Sequence, residues 1–192
     1  MLILVLLLSL FALSLDGERK QFWGRWLPLI WGVSIFSTFL WDGWLIYRQY
    51  EIWAGNELTR FLLPEYNPGY FPFYAFFRFL ASDTLALIIA VVMLVTLTKM
   101  NNRAGKLFFE EHEPYLASTV IFLVGFPGLL FYLVWLLLAY LLWHLLTIRL
   151  TGKASRRLPL YSVWPLVGVV TVLVNTFWLE KTALWLMLIF SR

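Results

Sequence analysis

A run of 34 residues without Asp, Glu, Lys or Arg, residues 115–148, constrains this chain more than any other feature. One helix of that length would measure about 50 Å at about 1.5 Å per residue, whereas the hydrocarbon core of a bilayer is about 30 Å thick. Gly125, Pro127 and Gly128 lie inside the run and favour a turn. The run therefore predicts two successive helices that are joined by a short turn.

Composition extends this interpretation to the whole chain. Hydrophobic residues make up 61% of the 192 residues and charged residues 14%, whereas a soluble domain is about half apolar and about a quarter charged. Because a spanning helix needs about 20 apolar residues, we expect an all-α, polytopic membrane protein with one domain, residues 1–192. The apolar runs predict about six transmembrane helices, at about residues 1–15, 26–47, 79–98, 114–125, 129–148 and 160–178, with an outer interfacial loop at 48–78.

Basic residues cluster in three of the predicted connections and indicate the orientation of the chain. The clusters are Arg19, Lys20 and Arg25, then Lys99, Arg103 and Lys106, and finally Arg149, Lys153, Arg156 and Arg157. Six spanning helices with the N-terminus outside place all three clusters in the cytoplasm, as the positive-inside rule requires. The first helix is expected to stay as a signal anchor, because no basic residue precedes it and no A-x-A site follows it.

Residue usage excludes several classes of function. The chain has no cysteine, which rules out disulfides, thiolate metal sites and cysteine nucleophiles. Its two histidines, His112 and His144, are too few for a histidine-rich metal site, so we expect no metal and no cofactor. The net charge of +4 arises in short connections between apolar runs, which makes the lipid bilayer the expected partner rather than nucleic acid.

Acidic residues at the ends of predicted helices are the candidate chemistry. Asp16 ends the first helix, and Glu110, Glu111, His112 and Glu113 stand at the start of the fourth. Two carboxyl groups on neighbouring helix ends can share a proton and activate water, because like charges at close range separate the two pKa values. The alternative is a set of solvated acids in a connection.

Two further acids, Asp42 and Asp83, lie in the second and third predicted helices near their outer ends. An ionisable group in a membrane helix is costly unless it reaches water or a partner. We expect both acids to be solvated or paired at the outer interface. The alternative is that they line a polar path through the bilayer.

Three segments resemble the type IV prepilin peptidases and preflagellin peptidases, which are membrane aspartyl proteases. Residues 11–26 read FALSLDGERKQFWGRW and are followed by LPLI, similar to the family's first catalytic Asp, basic stretch and Ile-Pro-Asn step. Residues 113–117 read EPYLA, at the place of the family's second catalytic Asp and the short helix behind it. Residues 157–160 read RLPL, similar to the basic step into the family's last helix.

The resemblance implies a prokaryotic inner membrane protein with a catalytic pair, Asp16 and Glu113, at the cytoplasmic face. Glu110, Glu111 and His112 would support the pair, and the substrate would carry a basic leader joined to an apolar helix. The family's second motif is Gly-x-Gly-Asp, but residues 110–113 read EEHE and contain neither glycine. Those glycines permit a tight turn. A Glu carboxylate also lies one methylene further out, and a displacement of about 1 Å can cost roughly a hundredfold in rate.

Three functions follow from these observations. The first is a degenerate, non-catalytic relative of the family, a scaffold or accessory subunit that binds a membrane-protein partner or a basic leader segment. The second is an aspartyl endopeptidase that uses Asp16 and Glu113 to cleave basic leader peptides of pilin-like substrates. The third is a small transporter or lipid-handling protein that uses Asp42 or Asp83. The two missing glycines favour the first.

Overall fold

The computed structural model describes residues 2–15, 24–105, 109–151 and 160–177, and all regular structure within these ranges is helical. The six main helices are α1 (Leu2–Leu15), α2 (Leu27–Ala54), α3 (Tyr70–Arg103), α4 (Glu113–Val124), α5 (Gly128–Thr151) and α6 (Leu160–Phe177). A short 3-10 helix, Arg60–Leu62, lies between α2 and α3, and α3 contains a π-helical stretch, Phe76–Leu80. The predicted all-α class is confirmed.

Three helices have the length and apolarity that crossing a bilayer requires. They are α2, α3 and the Gly128–Leu146 part of α5. In the most apolar stretch of each, only 11%, 22% and 11% of the residues are buried inside the protein. So much exposed apolar surface is stable only in an apolar solvent, and the chain is a membrane protein.

The short helix α4 forms the centre of the bundle. It has 12 residues, about 18 Å of helix, and packs against each of the other five helices. Ten of its residues are buried, namely Glu113, Pro114 and Leu116 to Leu123 without a break. Ser118 donates a hydrogen bond from Oγ to the Ala90 carbonyl of α3 at 2.9 Å, so this buried hydroxyl links the two helices that contact each other most extensively.

The turn between α4 and α5 marks one end of the bundle, here called the Phe126 end. Gly125 has a φ of +67°, a conformation that side-chained residues resist, and it ends α4. Ser82 Oγ of α3 donates to the Phe126 carbonyl at 2.7 Å. The Asn175 side chain of α6 packs directly against Gly128. The opposite end, where α4 begins, is here called the Glu113 end.

The helices α2 and α3 extend well into the segment that the sequence assigned to an outer loop. The helix α2 continues to Ala54 rather than ending near residue 47, and α3 begins at Tyr70 rather than near residue 79. Aromatic packing accounts for the extension: the Trp53 ring contacts Phe71 edge-on, with ring centroids 5.4 Å apart. A second, smaller core forms here from Leu63, Phe71 and Ala75.

Candidate functional site

Four of the five predicted site residues lie in the described part of the chain. Glu110 and Glu111 are exposed, His112 is half-buried and Glu113 is buried. Asp16, the predicted partner of Glu113, lies outside the described residues. The helix that precedes it, α1, packs against α4 and α6.

Glu113 is the first residue of α4, and its side chain is 3% exposed. Its Oε1 accepts a hydrogen bond from the Trp164 indole Nε1 of α6 at 2.9 Å, and its Oε2 accepts one from the Glu110 backbone N–H at 3.1 Å. The N-terminus of a helix favours a negative side chain, and hydrogen bonds to a carboxylate stabilise its charged form. Glu113 therefore holds α6 and the connection before α4 to the start of α4.

Trp164 is a functional neighbour that the sequence did not indicate. Trp164 is buried, and its indole N–H points to Glu113. Its backbone carbonyl also accepts a hydrogen bond from the Tyr132 hydroxyl of α5 at 3.3 Å. A buried indole needs an acceptor, and that requirement is the signal from which the pair could have been anticipated.

Asn101 is the second residue that the sequence missed. It is buried near the end of α3, where its Nδ2 donates to the Phe109 carbonyl at 3.0 Å and its Oδ1 accepts from the Phe109 N–H at 3.0 Å. Asn101 therefore fixes the connection to α3 at Phe109, and Glu113 fixes it to α4 at Glu110. Glu111 and His112 lie immediately after these two fixed points.

Gly24 positions the His112 ring. A Cβ atom added at Gly24 would overlap the His112 imidazole, so the close approach of backbone and ring requires glycine at this position. The His112 carbonyl accepts hydrogen bonds from the N–H groups of Tyr115 and Leu116 in the first turn of α4, at 3.2 and 3.3 Å. Main chain and side chain of His112 are thus both constrained.

A cleft of about 390 Å³ opens at the Glu113 end. It lies between the start of α2, the end of α3 and the start of α4, and its lining is Pro28, Thr98, Asn101, Asn102, Glu111, His112, Pro114 and Tyr115. Its volume is in the range of small-molecule sites. No group of three metal-ligating side chains occurs in the part of the chain that the structure describes.

The acids of α2 and α3 are not solvated. Asp42 and Asp83 are 5% and 9% exposed, so neither is solvated, and the paired form of the expectation is the one that remains. Ionisable groups within membrane helices almost always face the protein interior or a water-filled cavity. Asp83 follows Ser82, which places it close to the Phe126 end and far along α3 from the cleft.

Comparison with known proteins gives no match to a family model, a curated protein or a solved structure. The geometry of the Glu113 end is therefore the basis for a functional assignment. Its components are the buried Glu113 carboxylate, the constrained connection before it, and the adjoining cleft.

Proposed function

We propose that this chain is a non-catalytic membrane protein with the helix arrangement of the prepilin peptidases, acting as a scaffold or accessory subunit. It would lie in the plasma membrane of a prokaryote with its N-terminus outside and the Glu113 end in the cytoplasm. The positive-inside distribution of Arg25, Lys99 and Arg103 supports this orientation.

The buried Glu113 carboxylate carries the proposal. A carboxyl group that activates water has to reach both that water and the scissile bond. Glu113 is 3% exposed, and each of its oxygens accepts a hydrogen bond from the protein, one from Trp164 and one from Glu110. Such a group stabilises the assembly of α4, α6 and the connection. The absence of Gly-x-Gly before it favours the same structural role.

A leader-cleavage assay tests the proposal. The purified full-length chain would be incubated in detergent with a pilin-like substrate, a basic leader joined to an apolar helix. We expect no cleavage by the wild-type chain, by Asp16→Asn or by Glu113→Gln. A genuine prepilin peptidase in the same detergent serves as the positive control, and a single symmetric peak in size-exclusion chromatography shows that each variant is folded.

The second candidate is a membrane aspartyl endopeptidase in which Asp16 and Glu113 share a proton. One observation favours it: α1, the helix that leads to Asp16, packs against α4 and α6, the helices that carry Glu113 and Trp164, and a cleft adjoins the start of α4. This function requires cleavage by the wild-type chain and its loss in both folded variants, Asp16→Asn and Glu113→Gln. Cleavage should persist in Glu57→Gln, which removes an exposed acid from the outer loop. That pattern would contradict the non-catalytic proposal.

A further inference from the structure

The cleft at the Glu113 end is lined by side chains that both donate and accept hydrogen bonds. They are the hydroxyl groups of Thr98 and Tyr115, the carboxamide of Asn102 and the imidazole of His112. Within the described part of the chain, none of these side chains is engaged in a hydrogen bond. Their polar atoms are therefore available to a ligand.

The other two polar side chains of the lining are already engaged. Asn101 holds both polar backbone groups of Phe109, and Glu111 interacts with another group of the protein. The cleft therefore does not require a cation as its ligand. Hydroxyl groups match the available side chains best, because a hydroxyl also both donates and accepts.

Basic side chains lie beside the cleft at the end of α3. Lys99 and Arg103 follow Thr98 and Asn102 directly, and both are exposed. Because they are four residues apart, they share one face of the helix, next to the face with Thr98 and Asn102. Neither forms an ion pair within the described ranges. Long basic side chains at a membrane surface attract anionic lipid head groups, so the edge of the cleft suits a phosphate.

Apolar surface continues from the cleft along two helices. Val95 and Val91 of α3 are exposed, three and seven residues before Thr98, and therefore share its face of the helix. Leu29 of α2, directly after Pro28, is exposed as well. Both helices have the length and apolarity to cross a bilayer. A molecule with its polar group in the cleft can therefore lay an apolar chain along α2 and α3 without leaving the membrane.

We propose that the cleft binds the head group of phosphatidylglycerol. The two hydroxyl groups of the terminal glycerol exchange hydrogen bonds with Thr98 and Asn102, and the phosphate lies at the edge of the cleft beside Lys99 and Arg103. The acyl chains follow the exposed apolar surface of α2 and α3. This inference goes beyond the proposed function and holds whether or not Glu113 is catalytic, because Glu113 does not line the cleft.

Competition among three lipids with identical acyl chains tests this inference. Phosphatidylglycerol carries a phosphate and two head-group hydroxyls, phosphatidylmethanol carries the same phosphate without hydroxyls, and phosphatidylcholine has no net charge. The full-length chain is reconstituted in nanodiscs with equal amounts of two of these lipids, and the lipid that stays bound after release is identified by native mass spectrometry. We expect about tenfold preference for phosphatidylglycerol over phosphatidylmethanol, as about two neutral hydrogen bonds allow. Equal retention of these two lipids would overturn the inference.

A variant of the cleft locates the hydroxyl contacts. Thr98→Val combined with Asn102→Ala removes two hydrogen-bonding side chains, and both residues are exposed, so the fold should be retained. The preference for phosphatidylglycerol over phosphatidylmethanol should fall to about equal retention. Asn67→Ala removes an exposed carboxamide from the outer loop and should leave the preference at the wild-type value. An unchanged preference in the cleft variant would show that the glycerol is not bound there.

The basic residues are tested with the other pair of lipids. The wild-type chain should retain phosphatidylmethanol about tenfold over phosphatidylcholine, because two basic residues near the surface attract the anionic head group. Lys99→Gln combined with Arg103→Gln should remove this preference, and phosphatidylglycerol should still be preferred to phosphatidylmethanol. Arg60→Gln removes an exposed cation from the outer loop and should change neither ratio. A charge preference that survives the loss of Lys99 and Arg103 would contradict the placement of the phosphate.

A soluble competitor distinguishes a lipid from a free phosphodiester. Glycerophosphoglycerol has the same head group without acyl chains. We expect it to displace the lipid only at much higher concentration, because it gains nothing from the apolar surface of α2 and α3. Displacement at equal concentration would overturn the assignment to a lipid.

Discussion

At the Glu113 end, single side chains hold backbone segments that belong to no regular element. Asn101 pairs with both the N–H and the carbonyl of Phe109, and Glu113 accepts from the Glu110 N–H. A buried polar group stabilises a fold only when its hydrogen bonds are made, and leaving its partners unsatisfied costs more than the bonds contribute. The position of the connection before α4 thus depends on two side chains.

Removal of the Asn101 carboxamide should therefore destabilise the fold. Asn101→Ala leaves the Phe109 N–H and carbonyl without their partner, and we expect the free energy of unfolding to fall by about 1–3 kcal/mol. The neighbouring Asn102 is exposed, so Asn102→Ala should change it by less than about 0.5 kcal/mol. Reversible unfolding in mixed micelles measures the free energy of unfolding of both variants. Equal effects of the two substitutions would contradict the role given to Asn101.

Glu65, in the outer loop, provides a pH-dependent contact. The Tyr50 hydroxyl donates a hydrogen bond to its carboxylate at 2.5 Å and, with a backbone hydrogen bond and the charge of Arg60, lowers the pKa of Glu65 from its ordinary value. Because the folded pKa is lowered, this contact stabilises the loop above the ordinary pKa of Glu65 and is lost as the pH falls through the lowered pKa. Tyr50→Phe should return the pKa of Glu65 towards its ordinary value. A carbon-detected NMR titration of the Glu65 carboxyl checks this. An unchanged pKa of Glu65 in Tyr50→Phe would show that the Tyr50 hydroxyl is not the main cause of the lowered pKa.

The helices α1, α4 and α6 meet at a position where only glycine fits. A Cβ atom added at Gly168 of α6 would lie 2.6 Å from Val120 Cγ1 of α4 and 3.4 Å from Leu7 Cδ2 of α1. Both neighbours are fully buried. In membranes, small residues let helices approach closely, and the resulting van der Waals packing drives their association. Gly168 therefore determines how closely the three helices pack.

Gly168→Ala should separate these helices. The added methyl group has no free space, and overpacking of this kind destabilises a core by about 1–3 kcal/mol. Gly43→Ala in α2 is the matched control, because nothing lies within 4 Å of its added Cβ. It should be neutral or stabilising by up to about 1 kcal/mol, since alanine favours helix more than glycine does. Thermal unfolding in detergent separates the two variants, and a neutral Gly168→Ala would contradict the packing.

Over the whole molecule, the two ends of the bundle differ in charge and in shape. The Glu113 end carries the basic residues Arg25, Lys99 and Arg103 beside the cleft, whereas the opposite side of the molecule carries the aromatic extension of α2 and α3 with the loop at 55–69. Aromatic side chains concentrate at membrane interfaces, and positive charge marks the cytoplasmic side. These distributions favour the orientation proposed above, with the Glu113 end in the cytoplasm.

Labelling of single introduced cysteines tests that orientation. The chain has no cysteine of its own, so no native cysteine has to be replaced first. Arg103→Cys and Glu57→Cys both replace exposed residues, at the cytoplasmic and outer sides respectively in the proposed orientation. In intact cells, a membrane-impermeant maleimide should label only Glu57→Cys. In inverted vesicles it should label only Arg103→Cys. Labelling of both positions from one side would contradict the proposed topology.

The sequence predicted the helices better than it predicted the site. Apolar runs revealed the all-α class, and Gly125 with Pro127 suggested the break that separates α4 from α5. The continuation of α2 to Ala54 and the start of α3 at Tyr70 were missed, because aromatic contacts between distant residues such as Trp53 and Phe71 stabilise them. Asn101 and Trp164 were missed as well. Each acts on a partner in another segment, and no local pattern records which buried donor meets which acceptor.

A double-mutant cycle on Glu113 and Trp164 tests whether the Glu113 carboxylate acts as a structural acceptor for the indole N–H of Trp164. Glu113→Met removes both acceptor oxygens and keeps an unbranched side chain, and Trp164→Phe removes the indole donor. Reversible unfolding of the two single variants and the double variant gives their coupling free energy. We expect a coupling free energy of about 1–3 kcal/mol. Each single variant already loses the hydrogen bond to the carboxylate, and the double variant loses it only once. A coupling free energy near zero would show that the Trp164–Glu113 hydrogen bond does not stabilise the fold, and would contradict the structural role of Glu113.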